Sequence, residues 1–219
     1  MRLAVHDGAR IQATPKAKGT CPACGADMIA KCGTIKVWHW AHRGRRHCDP
    51  WWEPETEWHR AWKSEFPEDW NEVVVRSDAD KFHIADVRLP TGKVIEFQHS
   101  HISCDDRYAR EAFYGDMIWV VDGTRLERDK KILHFLQIGY GISKRRGQSI
   151  VNGSAHQITK RWASSTKLVF LDFGEDDLWC ISPRKENWMF FAARYLKRDF
   201  VDAFLAGKRP KLAKPYPDP

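Results

Sequence analysis

A stretch from Ala85 to Ser100 constrains the fold more than any other part of this 219-residue chain. It reads A-D-V-R-L-P-T-G-K-V-I-E-F-Q-H-S, and its apolar runs, Ile84–Leu89 and Val94–Phe97, flank Pro90-Thr91-Gly92. A glycine near the end of a short loop accepts the positive φ that closes a tight turn. The pattern therefore predicts a β-hairpin.

The predicted hairpin places polar side chains on one face. Side chains alternate along a strand, so Asp86, Glu96 and Gln98 share a face, and pairing of Leu89 with Lys93 sets Asp86 opposite Glu96. Two facing carboxylates repel each other unless a cation neutralises them, and hard oxygen ligands favour Mg²⁺ or Mn²⁺. The sequence thus predicts a divalent metal site, and a solvated hairpin with its polar residues outside is the alternative.

A second metal site is predicted near the N-terminus. The tight turn of Cys21-Pro-Ala-Cys24 aims two thiolates at one point, and histidines and a further cysteine follow it. A complete set of four protein ligands leaves no open position for water, so the zinc would be structural. A metal-free or redox-active cysteine pair is the alternative. The predicted ligands are Cys21, Cys24, His42 and Cys48, with His39 as the substitute.

Helical spacing follows Pro54. Trp58, Ala61 and Trp62 recur at the helical period in Glu55–Phe66, which predicts a helix there. On such a helix three polar side chains lie on one face, as a functional row or as a solvated charge row. These are Glu55, His59 and Lys63.

A second helix and a buried strand are predicted beyond the hairpin. Asp105–Tyr114 reads as a helix whose Arg107 and Arg110 suit phosphate contacts or pairing with acidic groups. Met117–Val121 reads as a buried strand. The order strand, hairpin, helix, strand is typical of an α/β core.

The last third of the chain shows structural signals and basic runs. It predicts a helix, a hairpin and a long helix, at Lys131–Ile138, at Leu168–Phe173 with Asp177–Ile181, and at Asn187–Phe204. It also contains two basic loops, Lys144-Arg145-Arg146 and Lys160-Arg161-Trp162. Basic loops with aromatic neighbours recur in grooves that bind nucleic acids.

Charge is divided unevenly along the chain. Residues 1–48 carry a net +7, residues 49–122 carry −9 and residues 123–219 carry +9. Basic flanks attract a phosphate backbone, and an acidic centre holds cations. The segregation favours a nucleic-acid partner, to which Arg43, Arg45 and Arg46 would add contacts, although charges can also merely solvate a surface.

Cysteine usage and hydropathy bear on the compartment. No apolar run approaches the roughly 18 residues of a membrane span, and the N-terminus has no apolar signal region. Six cysteines without an export signal indicate thiols or a metal site. A cytoplasmic protein that does not contact the membrane is therefore predicted.

Taken in order, the motifs resemble a known family. The sequence has C-P-A-C, then H-W-A-H, then E-T-E-W-H, then the hairpin, an Arg/Tyr helix and I-W-V-V. Asp, a hairpin and Glu-x-Lys resemble the PD-(D/E)xK nucleases, and I-E-F-Q-H-S, with Gln98 in the lysine position, is similar to the CoiA-like competence proteins. The resemblance implies that Glu55 assists the metal site and that His59 and Lys63 approach the substrate.

The resemblance implies an α/β fold with a nuclease-like mixed sheet flanked by helices. We expect a zinc-binding module at 1–50, a nuclease-like core at 51–123 and a basic α+β C-terminal extension at 124–219. The expected function is Mg²⁺- or Mn²⁺-dependent endonucleolytic cleavage of DNA in processing, recombination, competence or defence. A catalytically silent competence-type DNA-binding protein and a zinc-scaffolded interaction protein remain as alternatives, and a homodimer stays open.

Overall fold

The computed structural model describes residues 1–44, 47–78, 81–138, 148–152, 157–162, 164–183 and 189–213. Over these residues the chain is mixed α/β, with two sheets and five α-helices. It divides into two units, Met1–Arg88 and Leu89–Pro219. The predicted mixed α/β class is confirmed.

The first unit begins with a five-stranded antiparallel sheet in the order β2-β1-β3-β4-β5. The first two strands form a hairpin, with Asp7 and Gly8 at positive φ in its turn. Ala4, Met28 and Trp40 are buried in the small core beside this sheet. The strands are β1 Leu3–His6, β2 Ala9–Gln12, β3 Lys18–Thr20, β4 Asp27–Lys31 and β5 His39–His42.

A helix and a hairpin complete the first unit. Helix α1 spans Glu57–Ser64 and begins after Thr56, whose hydroxyl caps it by accepting from the His59 amide at 3.3 Å. This cap places the helix start two residues after the predicted one. A 3-10 turn at Glu68–Trp70 leads into the antiparallel strands β6 Asn71–Arg76 and β7 Phe82–Arg88.

The second unit has six strands in the order β10-β13-β12-β11-β9-β8. Strands β8, β9 and β11 are parallel, and α2 makes the crossover between β8 and β9, as the predicted order requires. The helices are α2 Cys104–Tyr114, α3 Glu127–Ile138, α4 Gln157–Trp162 and α5 Lys197–Leu205. The strands are β8 Val94–Gln98, β9 Met117–Asp122, β10 Gln148–Asn152, β11 Val169–Asp172, β12 Asp177–Pro183 and β13 Met189–Leu196.

The turn before β8 has the predicted form. The Leu89 amide donates to the Lys93 carbonyl at 2.9 Å, and the Gly92 amide donates to the Leu89 carbonyl at 2.9 Å. Gly92 adopts a φ of 89°, which an L-residue rarely accepts. The pairing of Leu89 with Lys93 is therefore confirmed.

Two predicted elements near the C-terminus are wrong. The described part of the predicted helix Asn187–Phe204 is the strand β13 followed by the shorter helix α5, and Lys160-Arg161-Trp162 ends helix α4 instead of forming a loop. Strand β13 lies between β10 and β12, and its Ala192 and Ala193 are both buried. A strand buried on both faces reads as a continuous apolar run, which periodicity does not distinguish from a helix.

Candidate functional site

Four ligand side chains converge in the first unit. The Gly25 amide donates to the Cys21 carbonyl at 2.8 Å and closes the turn that carries Cys21 and Cys24. His42 ends β5, and Cys48 follows it. The ligand atoms of Cys21, Cys24, His42 and Cys48 all lie within 4.8 Å of one another. Over the part of the chain that the structure describes, this is the one group of at least three His, Cys, Asp or Glu side chains so arranged.

The distances within this Cys₃His cluster fit a tetrahedral ion. The Sγ atoms of Cys21 and Cys48 are 3.7 Å apart, and Cys24 Sγ is 3.4 Å from His42 Nε2. Bonds of about 2.3 Å from sulfur to zinc place two sulfurs of a tetrahedral site roughly 3.8 Å apart. Burial raises the pKa of the Cys48 thiol, and the nearby Cys21 adds to this rise. A cation would reverse that balance by stabilising the thiolates, so the cluster could hold zinc.

The structure also shows where the substitute ligand and the predicted arginines lie relative to this cluster. His39 lies outside it and places its Nδ1 2.9 Å from the Val37 carbonyl, so the described set matches the preferred ligands. Arg43 is exposed just beyond His42. Arg45 and Arg46 lie outside the described residues.

A buried lysine forms a second charged site in the first unit. Lys63 projects from α1, and its Nζ lies 3.0 Å from Asp86 Oδ1, 3.2 Å from Glu72 Oε1 and 3.9 Å from Glu55 Oε1. Burial acts to lower the pKa of Lys63, but Asp86, Glu72 and Glu55 outweigh it and raise this pKa above its usual value. The ammonium is therefore held charged among three carboxylates, a set named here the Lys63 cluster.

Glu72 connects this cluster to the first strand. Its carboxylate accepts from the Arg2 amide at 2.7 and 2.9 Å and from the Leu3 amide at 2.8 Å. Burial acts to raise the pKa of Glu72, whereas Lys63, the N-terminal ammonium and these amides lower it to about 2. Glu72 also adopts a positive φ of 50°, which is strained for a residue with a Cβ. The carboxylate therefore joins β6, β1 and α1.

The two other residues of the predicted row have different surroundings, and Glu55 precedes α1 instead of lying on it. Glu55 is buried and lies 3.4 Å from Arg60 Nη2 as well as near Lys63. His59 is buried, with Nδ1 2.9 Å from Thr56 Oγ1 at the helix cap. Glu55 thus joins the Lys63 cluster, while His59 contacts the cap of α1.

In the second unit, the hairpin candidates are buried on β8. Glu96 Oε2 lies 3.7 Å from Arg110 Nη1 on α2. The Gln98 amide donates to the Ser100 carbonyl at 3.1 Å. Glu96 therefore has an arginine as its neighbour. Gln98 has a neutral side chain where the PD-(D/E)xK pattern has a lysine.

Arg107 is buried and forms hydrogen bonds within the protein. It is 1% exposed and donates to the Arg161 carbonyl at 2.7 Å and to Ser164 Oγ at 2.6 Å. These bonds join α2 to the end of α4. Of the predicted basic loops, Lys160 is exposed, Arg161 is half-buried, and Lys144, Arg145 and Arg146 lie outside the described residues.

Two side chains at the ends of parallel strands are absent from the predicted site residues. His99 directly follows β8, and its Nδ1 lies 2.7 Å from Asp122 Oδ2 at the end of β9. Both residues line a small cleft with Arg125 and Arg161. The signal was available, because a histidine and an aspartate each stand at the end of an apolar run.

Comparison with known proteins bears on the N-terminal module. Residues 6–50 match the family model described as Competence protein CoiA, N-terminal domain. The match includes all four members of the Cys₃His cluster and confirms the predicted resemblance to CoiA-like competence proteins. No curated protein and no solved structure matches the chain. Over the described residues, none of the helices has the length and apolarity to cross a membrane.

Proposed function

We propose that this CoiA-like competence protein is a metal-dependent nuclease that hydrolyses DNA phosphodiester bonds. The family match supports a function related to competence, and the resemblance to nucleases adds DNA as the proposed substrate. The observation that carries the nuclease proposal is the placement of Lys63, whose ammonium lies 3.0 Å from Asp86. A fixed cation beside a hairpin carboxylate suits chemistry in which negative charge develops on a phosphate.

In this proposal the hairpin carboxylates Asp86 and Glu96 hold Mg²⁺ or Mn²⁺. The ion, when bound, supplies an activated water and shields the charge of the phosphate. The support is the sequence register, together with the confirmed pairing of Leu89 with Lys93 at the turn. Gln98 would orient the water or donate its amide to a phosphoryl oxygen.

The missing lysine of the PD-(D/E)xK pattern has a candidate replacement. Lys93 forms an ion pair with Asp116, and its side chain lies in the turn before β8. Lys63 is instead buried next to Asp86. In this proposal Lys63 provides a positive charge beside Asp86, which would stabilise the charge that develops on the phosphate.

A silent DNA-binding protein is the second candidate, and a specific observation favours it. Asp86 and Glu96 each have a protein cation nearby, Lys63 at 3.0 Å and Arg110 at 3.7 Å. Such cations neutralise the carboxylates without a metal. The basic N- and C-terminal segments would bind the DNA backbone in either case.

Cleavage assays separate the two candidates. Purified protein is incubated with Mg²⁺ or Mn²⁺ and with labelled single-stranded, duplex and branched DNA, and products are resolved on gels. We expect cleavage that Asp86→Asn and Glu96→Gln each abolish, while Gln98→Lys preserves or raises the rate. Glu57→Gln, which changes an exposed carboxylate on α1, is the matched control and should cleave normally.

Two outcomes would contradict the nuclease. Cleavage that survives both carboxylate substitutions would belong to another site or to a contaminant. Firm DNA binding without product in any metal would leave the silent DNA-binding protein in its place.

A further inference from the structure

We propose that His99, Arg125 and Arg161 form a binding site for a phosphate of the nucleic-acid backbone. The site, named here the strand-end cleft, is distinct from the hairpin carboxylates. The inference rests on the proposed function insofar as that function makes DNA the partner. It identifies which side chains of the second unit hold the backbone.

The position of the cleft follows from the parallel strands. Gln98 pairs with Val121 and Asp172 pairs with Asp122, so β8, β9 and β11 end at one edge of the sheet. His99 is the next residue after β8, and this register brings it beside Asp122. In α/β sheets, ligands bind outside the carboxyl ends of the parallel strands.

Asp122 fixes the orientation of the His99 ring. Asp122 Oδ2 lies 2.7 Å from His99 Nδ1, while its Oδ1 accepts from the Thr124 amide at 2.7 Å and from the Thr124 hydroxyl at 2.6 Å. A buried carboxylate that is bonded on both oxygens holds the ring in one orientation, and a ring that carries protons on both Nδ1 and Nε2 can donate to Asp122 and to an anion at the same time. The side chain of His99 is 30% exposed, so its outer edge reaches solvent.

Two arginines line the cleft. Arg125 is exposed. Arg161 forms an ion pair with the buried Asp129, and the backbone carbonyl of Arg161 accepts from Arg107 at 2.7 Å. The charged and titratable groups that line the cleft are His99, His101, Asp122, Arg125, Asp129 and Arg161. Asp122 is bonded to His99 and Thr124, and Asp129 is paired with Arg161, so the exposed Arg125 is the cation at the cleft that an anion meets first.

The size of the cleft limits which chemical groups can enter it. Its volume is about 20 Å³. A space near the volume of a single water admits phosphoryl oxygens and excludes a nucleobase. We therefore expect contacts to the backbone without readout of base sequence, as is typical of phosphate contacts.

A binding assay tests the cleft separately from catalysis. Affinity for a labelled single-stranded oligonucleotide is measured by fluorescence anisotropy over a salt series, with no added Mg²⁺ or Mn²⁺ and no chelator. The variants are His99→Gln and Arg125→Gln, and Arg198→Gln on α5, whose side chain is 80% exposed, is the matched control. Circular dichroism and thermal melts check that each variant is folded.

We expect defined changes in affinity and in its dependence on salt. Arg125→Gln should weaken binding roughly tenfold, because a hydrogen bond to a charged group is lost. It should also reduce the slope of log affinity against log salt by about 0.7, the value for one lost contact to a single strand. His99→Gln should weaken binding, and Arg198→Gln should change neither quantity.

Other outcomes overturn the proposal. Unchanged affinity and slope for both cleft variants would exclude a backbone contact there. If inorganic phosphate shifts the His99 resonances in NMR spectra but the oligonucleotide affinities stay unchanged, the cleft binds free phosphate and not nucleic acid. Because no cleavage is measured, loss of the nuclease proposal alone would leave these results standing.

Discussion

The charge on Lys63 is decided by its neighbours and not by its exposure. Burial alone would favour a neutral amine, but Asp86 and Glu72 lie within 3.2 Å of its Nζ. From the sequence, Asp86 is predicted to face Glu96, and the two carboxylates would repel each other. In the structure Asp86 is a partner of a buried ammonium, so its removal is expected to destabilise the fold.

Replacing Lys63 tests this balance. Lys63→Met leaves Glu55, Glu72 and Asp86 without their shared cation, and the free energy of unfolding should fall by about 3–5 kcal/mol. A divalent cation can replace the lost charge, so Mn²⁺ should restore part of the stability. Urea denaturation with and without Mn²⁺ measures both effects.

The control for this substitution is Lys31→Met, which changes an exposed lysine of β4. Its free energy of unfolding should change by less than about 0.5 kcal/mol. Equal losses in the two variants, or no response of Lys63→Met to the metal, would contradict the cation role of Lys63.

At the scale of the elements, local patterns predicted the parts whose cause is local. The loop Pro90-Thr91-Gly92 predicts the turn before β8, the tryptophan spacing predicts α1, and the Cys21 turn predicts the Cys₃His cluster. These features depend on residues close in sequence, where turn and cap chemistry decide the conformation.

The features that were missed depend on contacts between distant elements. The sequence of β13 predicts a helix because consecutive residues such as Ala192 and Ala193 are both buried, so its apolar residues do not alternate as in a half-exposed strand. Glu72 is absent from the predicted site residues, because its bonds to the Arg2 and Leu3 amides span about seventy residues. Such contacts leave no periodic signal in the sequence.

The pH dependence of stability tests the link that Glu72 makes between β6, β1 and α1. The pKa of Glu72 is lowered in the fold to about 2 from an ordinary 4.5, so the folded state favours the ionised form. The free energy of unfolding that the ionised Glu72 contributes is fully present above pH 4.5 and is lost as the pH falls toward 2. We expect the difference in unfolding free energy between wild type and Glu72→Gln to shrink over that window.

Denaturation series from pH 6 to pH 2 measure this difference. Glu68→Gln, which changes an exposed carboxylate of the neighbouring 3-10 turn, is the control and should track wild type more closely. A difference that stays constant with pH would mean that Glu72 acts through its shape and not through its charge.

At the scale of the whole molecule, zinc in the Cys₃His cluster would compensate for a small core. The sheet β1–β5 buries Ala4, Ala13, Met28 and Trp40 together with Cys21, a modest set for five strands. Small modules of this kind use a structural metal to hold loops that apolar burial alone does not fix. The family match covers the same segment, so the cluster belongs to the part of the chain that is CoiA-like.

We therefore expect about one zinc per chain in gently purified protein, measured by metal analysis. Cys21→Ser removes one thiolate of the Cys₃His cluster, so it should lose the zinc and lower the melting temperature of the protein. Cys104→Ser changes an exposed cysteine outside the cluster and should keep both. Because binding requires deprotonated thiols, zinc should also dissociate as the pH is lowered. Absence of zinc from the wild type, or equal zinc in the two variants, would show that the cluster is not a zinc site.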